Sequence, residues 1–165
     1  MAEKSAAIVQ RGNAKVMIEA ALTRLGDGYV RVGILHGSDP HLDAAGDSRL
    51  TIGDGAAIHE FGAPSAGIPP RSFVWLGTQI ARPKLKRLMP ALVKKVQRGD
   101  ITMQAALRQL AEVLLDGMRQ AFKDWQKHWP PLAQSTADRK GHEVPLIDTR
   151  QLYEALEYEI RRGKA

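Results

Sequence analysis

Two stretches of helical periodicity, separated by a glycine, constrain this chain more than any other feature. Over residues 82–97, Leu85, Leu88, Met89, Leu92, Val93 and Val96 recur at i, i+3, i+4 and i+7, while Arg87, Lys94 and Arg98 fall on the opposite side. The spacing predicts a long amphipathic helix whose polar side is uniformly basic. Gly99-Asp100 interrupts the pattern, and Asp100 or Thr102 is placed to cap a second helix. Its apolar stripe, Leu107, Leu110, Leu114, Met118, Ala121, Phe122 and Trp125, predicts that this helix is also long and runs to about residue 126.

Around this pair the signals are mixed. Residues 6–25 are rich in alanine, carry Val16, Met17, Ala20 and Ala21 at helical spacing, and end at Gly26-Asp27-Gly28, which predicts an N-terminal helix. Val30, Val32 and Ile34 then alternate with Arg31 as a half-buried strand does. Residues 36–52, with Gly37, Ser38, Asp39, Pro40, Gly46, Asp47 and Ser48, have the composition of an exposed loop. Ala56-Ala57-Ile58-His59-Glu60-Phe61 reads as one or two helical turns, preceded by a turn at Gly53-Asp54-Gly55 and closed by Gly62. Gly67-Ile68-Pro69-Pro70 is forced extended, a stiff arm leading into Arg71-Ser72-Phe73. Residues 132–144 are linker-like, with a polar loop through Ser135, Thr136, Arg139, Lys140 and Gly141. Asp148-Thr149-Arg150-Gln151 resembles a capping box opening a short helix, and Leu156, Tyr158 and Ile160 alternate with Glu157 and Glu159 as an edge strand. There is no internal repeat and no βαβ alternation. The expectation is an α+β fold: an antiparallel sheet packed by the N-terminal helix and the two long central amphipathic helices.

At 165 residues with 44% apolar content, the chain suits one domain, 1–165, with a core of its own. No run approaches the roughly 18 to 20 apolar residues of a membrane helix, and Glu3, Lys4 and Gln10 interrupt any signal-peptide pattern, so a soluble protein made in the cytoplasm is expected. With no cysteine, disulfides, thiolate chemistry and cysteine-based zinc sites are excluded. From residue 61 to 99 there is no carboxylate, while Arg71, Arg82, Lys84, Lys86, Arg87, Lys94, Lys95 and Arg98 supply eight positive charges. Such a block either attracts a partner of high negative charge or is a solvated helix face.

Catalytic patterns fail on inspection. His59-Glu60 on a short helix suggests a zinc protease, but Ala63 stands where the second histidine is required. His36, Asp39, His41, Asp43 and Asp47 could ligate a divalent ion, although aspartate-rich loops are usually only soluble. Ser65, in Ala63-Pro64-Ser65-Ala66-Gly67, lacks a glycine and a preceding strand for a nucleophile elbow. Gly53-Asp54-Gly55 lacks both the third glycine of a dinucleotide fingerprint and the lysine of a P-loop. Trp125 and Trp129 could stack on bases, but their register with Leu114 and Phe122 favours a core role. No cofactor, metal or enzymatic role is expected.

One resemblance spans these observations. Ala56-Ala57-Ile58-His59-Glu60-Phe61-Gly62-Ala63-Pro64, followed by Ile68-Pro69-Pro70-Arg71-Ser72-Phe73, resembles the core signature of the tail-completion and virion-morphogenesis proteins of tailed bacteriophages. Trp129-Pro130-Pro131-Leu132-Ala133, Thr136, Arg139-Lys140-Gly141 and Pro145-Leu146-Ile147-Asp148-Thr149 resemble that family's second half in the same order. The matched stretches lie between residues 56 and 160, the long helices between them agreeing only in character. One departure stands out: where the family continues the Asp-Thr pair with glycine, this chain has Arg150.

The resemblance implies a structural virion protein at the head–tail junction, a tail-completion or neck subunit whose copies form a ring, six-fold by analogy, around the channel that DNA crosses. Its partners would be further copies, connector and tail-tube proteins, with non-specific contact to passing DNA and no membrane. Rings need heterologous interfaces, and the loop 36–52 and the segment 62–73 are candidates for them. Glu60 and Arg71 flank the Pro69-Pro70 arm and could pair within or between subunits, while Phe73 and Trp75 either anchor a neighbour or, for Phe73, close the domain's own core. Lys84, Arg87, Lys94 and Arg98 would line the channel or meet an acidic neighbour. The rival readings are a nucleic-acid-binding module using the basic helix 82–98, and a hydrolase or metal enzyme around His59 and Glu60.

Overall fold

The computed structural model describes residues 26, 28–36, 39, 50–141, 143–145 and 150–162. The expected helix over residues 6–25 and most of the loop 36–52 lie outside the described residues. Helices and strands are mixed, and the described sheet is a single antiparallel pair, β1 (Gly28–Gly33) with β2 (Glu157–Arg162). Val30 faces Ile160 and Val32 faces Tyr158, whereas Arg31 faces Glu159 and meets its carboxylate at 3.0 Å. The alternation in both strands is thus realised in register, apolar pairs on one face and an ion pair on the other.

Helix α1 (Ile52–Phe61) starts inside the stretch expected to be loop and turn. The reason is local: Thr51 caps it, its hydroxyl accepting from the Asp54 N–H at 3.1 Å while Asp54 Oδ2 accepts from the Thr51 N–H at 3.0 Å. This reciprocal box outweighs the poor helix propensity of Gly53 and Gly55.

Helix α2 (Phe73–Arg98) begins at Phe73, well before the periodic stretch from residue 82, and contains Pro83 and Pro90, both on its exposed side. It ends at Gly99 in the left-handed conformation, and α3 (Met103–Lys123) starts on Thr102, whose hydroxyl accepts from the Ala105 N–H. Asp100 is not the cap, and the last expected turn of α3 is a separate 3₁₀ turn, Trp125–Lys127. The two helices pack antiparallel with no room at the crossing: a Cβ on Gly77 would lie 2.5 Å from Met118 Cα, and one on Gly117 would strike the Gly77 carbonyl oxygen.

Helix α3 is contacted by α2 and by both strands, so its buried face is wider than one stripe and takes in Ala106, Ala111, Val113 and Leu115 beside Leu107, Met118, Ala121 and Phe122. Tyr158 on β2 hydrogen-bonds Glu112 on α3, which pushes its phenol above the ordinary range. The main core gathers Phe73, Leu76, Leu115, Met118, Phe122, Trp129, Leu152 and Leu156, and a smaller cluster, Leu92, Val96 and Ala106, closes the far end of the helix pair. Met89 and Val93, expected on the apolar stripe, remain substantially exposed.

Two short helices complete the described chain. Helix α4 (Gln134–Lys140) occupies the middle of the segment expected to be a linker-like polar loop. Helix α5 (Gln151–Glu154) starts at Gln151, expected at the third helical position, and Arg150 precedes it in the left-handed conformation at φ 63° with no side-chain cap of its own. Asp148 and Thr149 lie outside the described residues.

Candidate assembly site

The segment 56–73, singled out in the sequence, is a folded clasp and not an outstretched arm. Helix α1 ends at Gly62, whose φ of 78° and whose crowding by Ile68 O and Pro70 N, each 3.0 Å from where a Cβ would sit, leave no place for a side chain. Ala63 and Ile68 exchange backbone hydrogen bonds of 2.9 and 3.1 Å across the turn Pro64–Ala66, so Ser65 lies in a 3₁₀ turn and not on a nucleophile elbow. The extended Pro69-Pro70 pair then brings the chain back along α1. There the Arg71 N–H donates to the His59 carbonyl at 2.6 Å and the Ser72 hydroxyl to the Glu60 carbonyl at 2.8 Å.

Glu60 and Arg71 do not pair with each other; each has a different task. The Glu60 carboxylate accepts from the Val74 N–H at 2.9 Å and from the Trp75 N–H at 3.1 Å. These are donors at the N-terminus of α2 that Ser72, at the cap position, leaves to it. An anion at this end is also favoured by the helix dipole. Arg71 is 5% exposed and points its Nη2 at the Pro130 and Pro131 carbonyls, 3.5 and 3.4 Å away, with no partner for its Nε. Burial pushes its guanidinium below the ordinary range, though an arginine so placed stays charged. It therefore ties the clasp to the Trp129-Pro130-Pro131 segment and is no part of the basic face.

Phe73 is 1% exposed and packs at 5.2 Å on Phe122, which also meets Trp129 edge-on at 6.3 Å and Tyr153 at 5.6 Å. Of its two expected roles it takes the core one, and is not available to a neighbour. Trp129 is core as expected, and Trp125 packs against the same core. The two distant parts of the sequence signature, 56–73 and 129–131, therefore meet through Arg71 and the Phe73–Phe122–Trp129 cluster.

Two aromatic side chains are left outside: Phe61 is 78% exposed and Trp75 is 62% exposed. Phe61 comes directly after Glu60 in the chain and Trp75 donates its N–H to the Glu60 carboxylate, so both depart from one rigid point. Trp75 was a candidate anchor in the sequence, and what the structure adds is its exposure. The exposure of Phe61 was not legible, because it reads as the last apolar residue of a helix expected to bury it.

The basic residues Lys84, Arg87, Lys94 and Arg98 are all exposed, as are Arg82, Lys86 and Lys95, and none has an ion-pair partner among the described residues. Among the described residues no group of three or more His, Asp or Glu could hold a metal ion. His36 instead meets Glu157 at 2.7 Å, and His41, Asp43 and Asp47 lie outside the described residues. No described helix is long and apolar enough to cross a membrane. Against family models, curated proteins and solved structures, the chain matches none.

Proposed function

We propose that this chain is a structural subunit of a tailed-phage virion, a tail-completion or neck protein that forms a ring at the head–tail junction without catalysing a reaction. The observation that carries the reading is the exposure of Phe61 and Trp75, two large aromatics in water beside the hydrogen bonds that join Glu60 to the start of α2. Aromatic residues of this kind are the usual anchors of protein interfaces, and a ring subunit needs such an anchor to enter a different patch on the next copy. Two further observations support it. The signature residues Glu60, Arg71 and Phe73 are spent inside the subunit, on its own hydrogen bonds and core. Arg150 has the left-handed backbone at the position where the family pattern has glycine, so the one visible departure keeps the geometry that glycine serves.

The experiment is a mass measurement on the purified chain, alone and mixed with tail tubes and connector rings of the phage that encodes it. The reading predicts a closed ring, six-fold by analogy, either free or on one of those partners. A monomer that binds neither contradicts it.

A further inference from the structure

The C-terminal two-thirds of α2 presents a second surface, chemically unlike the aromatic pair. Between Phe73 and Arg98 the helix has no carboxylate, and its cations Arg82, Lys84, Lys86, Arg87, Lys94, Lys95 and Arg98 are exposed and without ion-pair partners among the described residues. At 100° per residue Arg87, Lys94 and Arg98 fall within about 40° of one another, and residues 82 to 98 span about 24 Å. We infer that this face binds the phosphodiester backbone of duplex nucleic acid without reading its sequence.

Three features select that occupant. On the side of the helix that carries Arg87, Lys94 and Arg98 the intervening residues are Pro83, Pro90 and Ala91, all exposed and too small to make the apolar centre that a protein partner needs, while the exposed Met89 and Val93 lie about 100° or more round the helix from those three cations. An interfacial membrane helix must turn its apolar face into lipid, but here Leu92 and Val96 are packed against Ala106 of α3. Single-stranded nucleic acid is held on aromatic platforms, and Trp75 is the exposed aromatic of this helix, far from the cations at its N-terminal end. What remains is attraction to a regular row of phosphates, for which Lys and Arg on a rigid helix suffice. The inference goes beyond the assembly reading and does not rest on it, because it is read on the chain by itself.

The test is fluorescence anisotropy with the full chain and a 30-base-pair DNA duplex, with a duplex RNA of the same sequence as a second arm. If Lys84, Arg87, Lys94 and Arg98 each meet a phosphate, the logarithm of affinity falls with that of salt at a slope of about −3.6, roughly a hundredfold between 50 and 200 mM. Charge reversal at Arg87→Glu, Lys94→Glu and Arg98→Glu together is expected to weaken binding at least a hundredfold and flatten the slope to about −1. Lys123→Glu, an exposed change on α3, should leave binding within about threefold. Should the triple reversal disturb the fold, Lys84→Gln with Arg87→Gln gives the same readout, a slope smaller by about 2. The two duplex arms are expected to agree, and a preference above tenfold for either assigns the source. Overturning results are affinity independent of salt, loss equal in Lys123→Glu and the triple variant, or tighter binding to polyglutamate or anionic vesicles than to either duplex.

Discussion

Replacing Glu60 by alanine probes the frame on which the aromatic pair stands. The substitution removes both acceptors of the Val74 and Trp75 N–H groups and the negative charge at the start of α2. A lost cap costs about 1 kcal/mol, and the loss of a favourable charge at a helix N-terminus about 0.5–1 kcal/mol more. The expected destabilisation is therefore about 2 kcal/mol, and for a chain of 165 residues the melting midpoint should fall by roughly 4–8 °C. Glu60→Gln keeps the shape and one acceptor oxygen but no charge, and should lose about half as much. Thermal unfolding followed by circular dichroism gives both values. If alanine at this position leaves the midpoint within about 1 °C of the parent, Glu60 is not the cap of α2 and the frame argument is wrong.

The packing and the caps set three further outcomes. Gly117→Ala drives a Cβ onto the Gly77 carbonyl and to 3.0 Å from Ala81 Cβ. The clash is with backbone, so overpacking belongs in the upper part of the range of about 1–3 kcal/mol; set against the roughly 1 kcal/mol gained in helix propensity, chemical denaturation should show a net loss of up to about 2 kcal/mol. Arg150→Gly relieves a left-handed arginine worth about 1–2 kcal/mol against a glycine entropy penalty of about 0.5–1 kcal/mol, so the variant should be the more stable of the two by about 0.5–1 kcal/mol. The Asp54 carboxyl is held below its ordinary range by hydrogen bonds from the Thr51 hydroxyl and N–H. A depressed folded value means that its contribution is fully present above the ordinary aspartate range and is lost as pH falls through the lower folded value. The parent should therefore lose stability below about pH 4 more steeply than Asp54→Asn, as midpoints measured across that window will report.

Much of the fold was legible because its signals are local. The alternation of Val30 and Val32, and of Tyr158 and Ile160, is a two-residue period that survives in any half-buried strand, and Thr102 capped its helix by ordinary rules. What sequence missed was non-local. The start of α2 is hidden by Val74, Gly77, Thr78 and Ile80, weak helix formers, and by Ser72, which does not cap. The missing cap comes from Glu60, and the glycine becomes an asset only against Gly117 on another helix. The same holds at the candidate site. Opposite charges on either side of a proline arm suggested a Glu60–Arg71 pair, but the clasp turns Arg71 inward to carbonyls about 60 residues later in the chain. Phe73 and Phe61 look alike in sequence, and only the packing decides that the first is core and the second is surface.

The central claim, that Phe61 and Trp75 are held out for a neighbouring subunit, is tested most directly by the doubly substituted chain Phe61→Ser and Trp75→Ser. Both side chains are exposed, so the melting midpoint should stay within about 2 °C of the parent while the assembly contact disappears. Loss of two interface anchors at about 2 kcal/mol each weakens association by roughly a thousandfold. Mass photometry of parent and variant, each with connector rings and tail tubes, should therefore show the ring for the parent and free monomer for the variant. A variant that assembles as well as its parent would contradict the account.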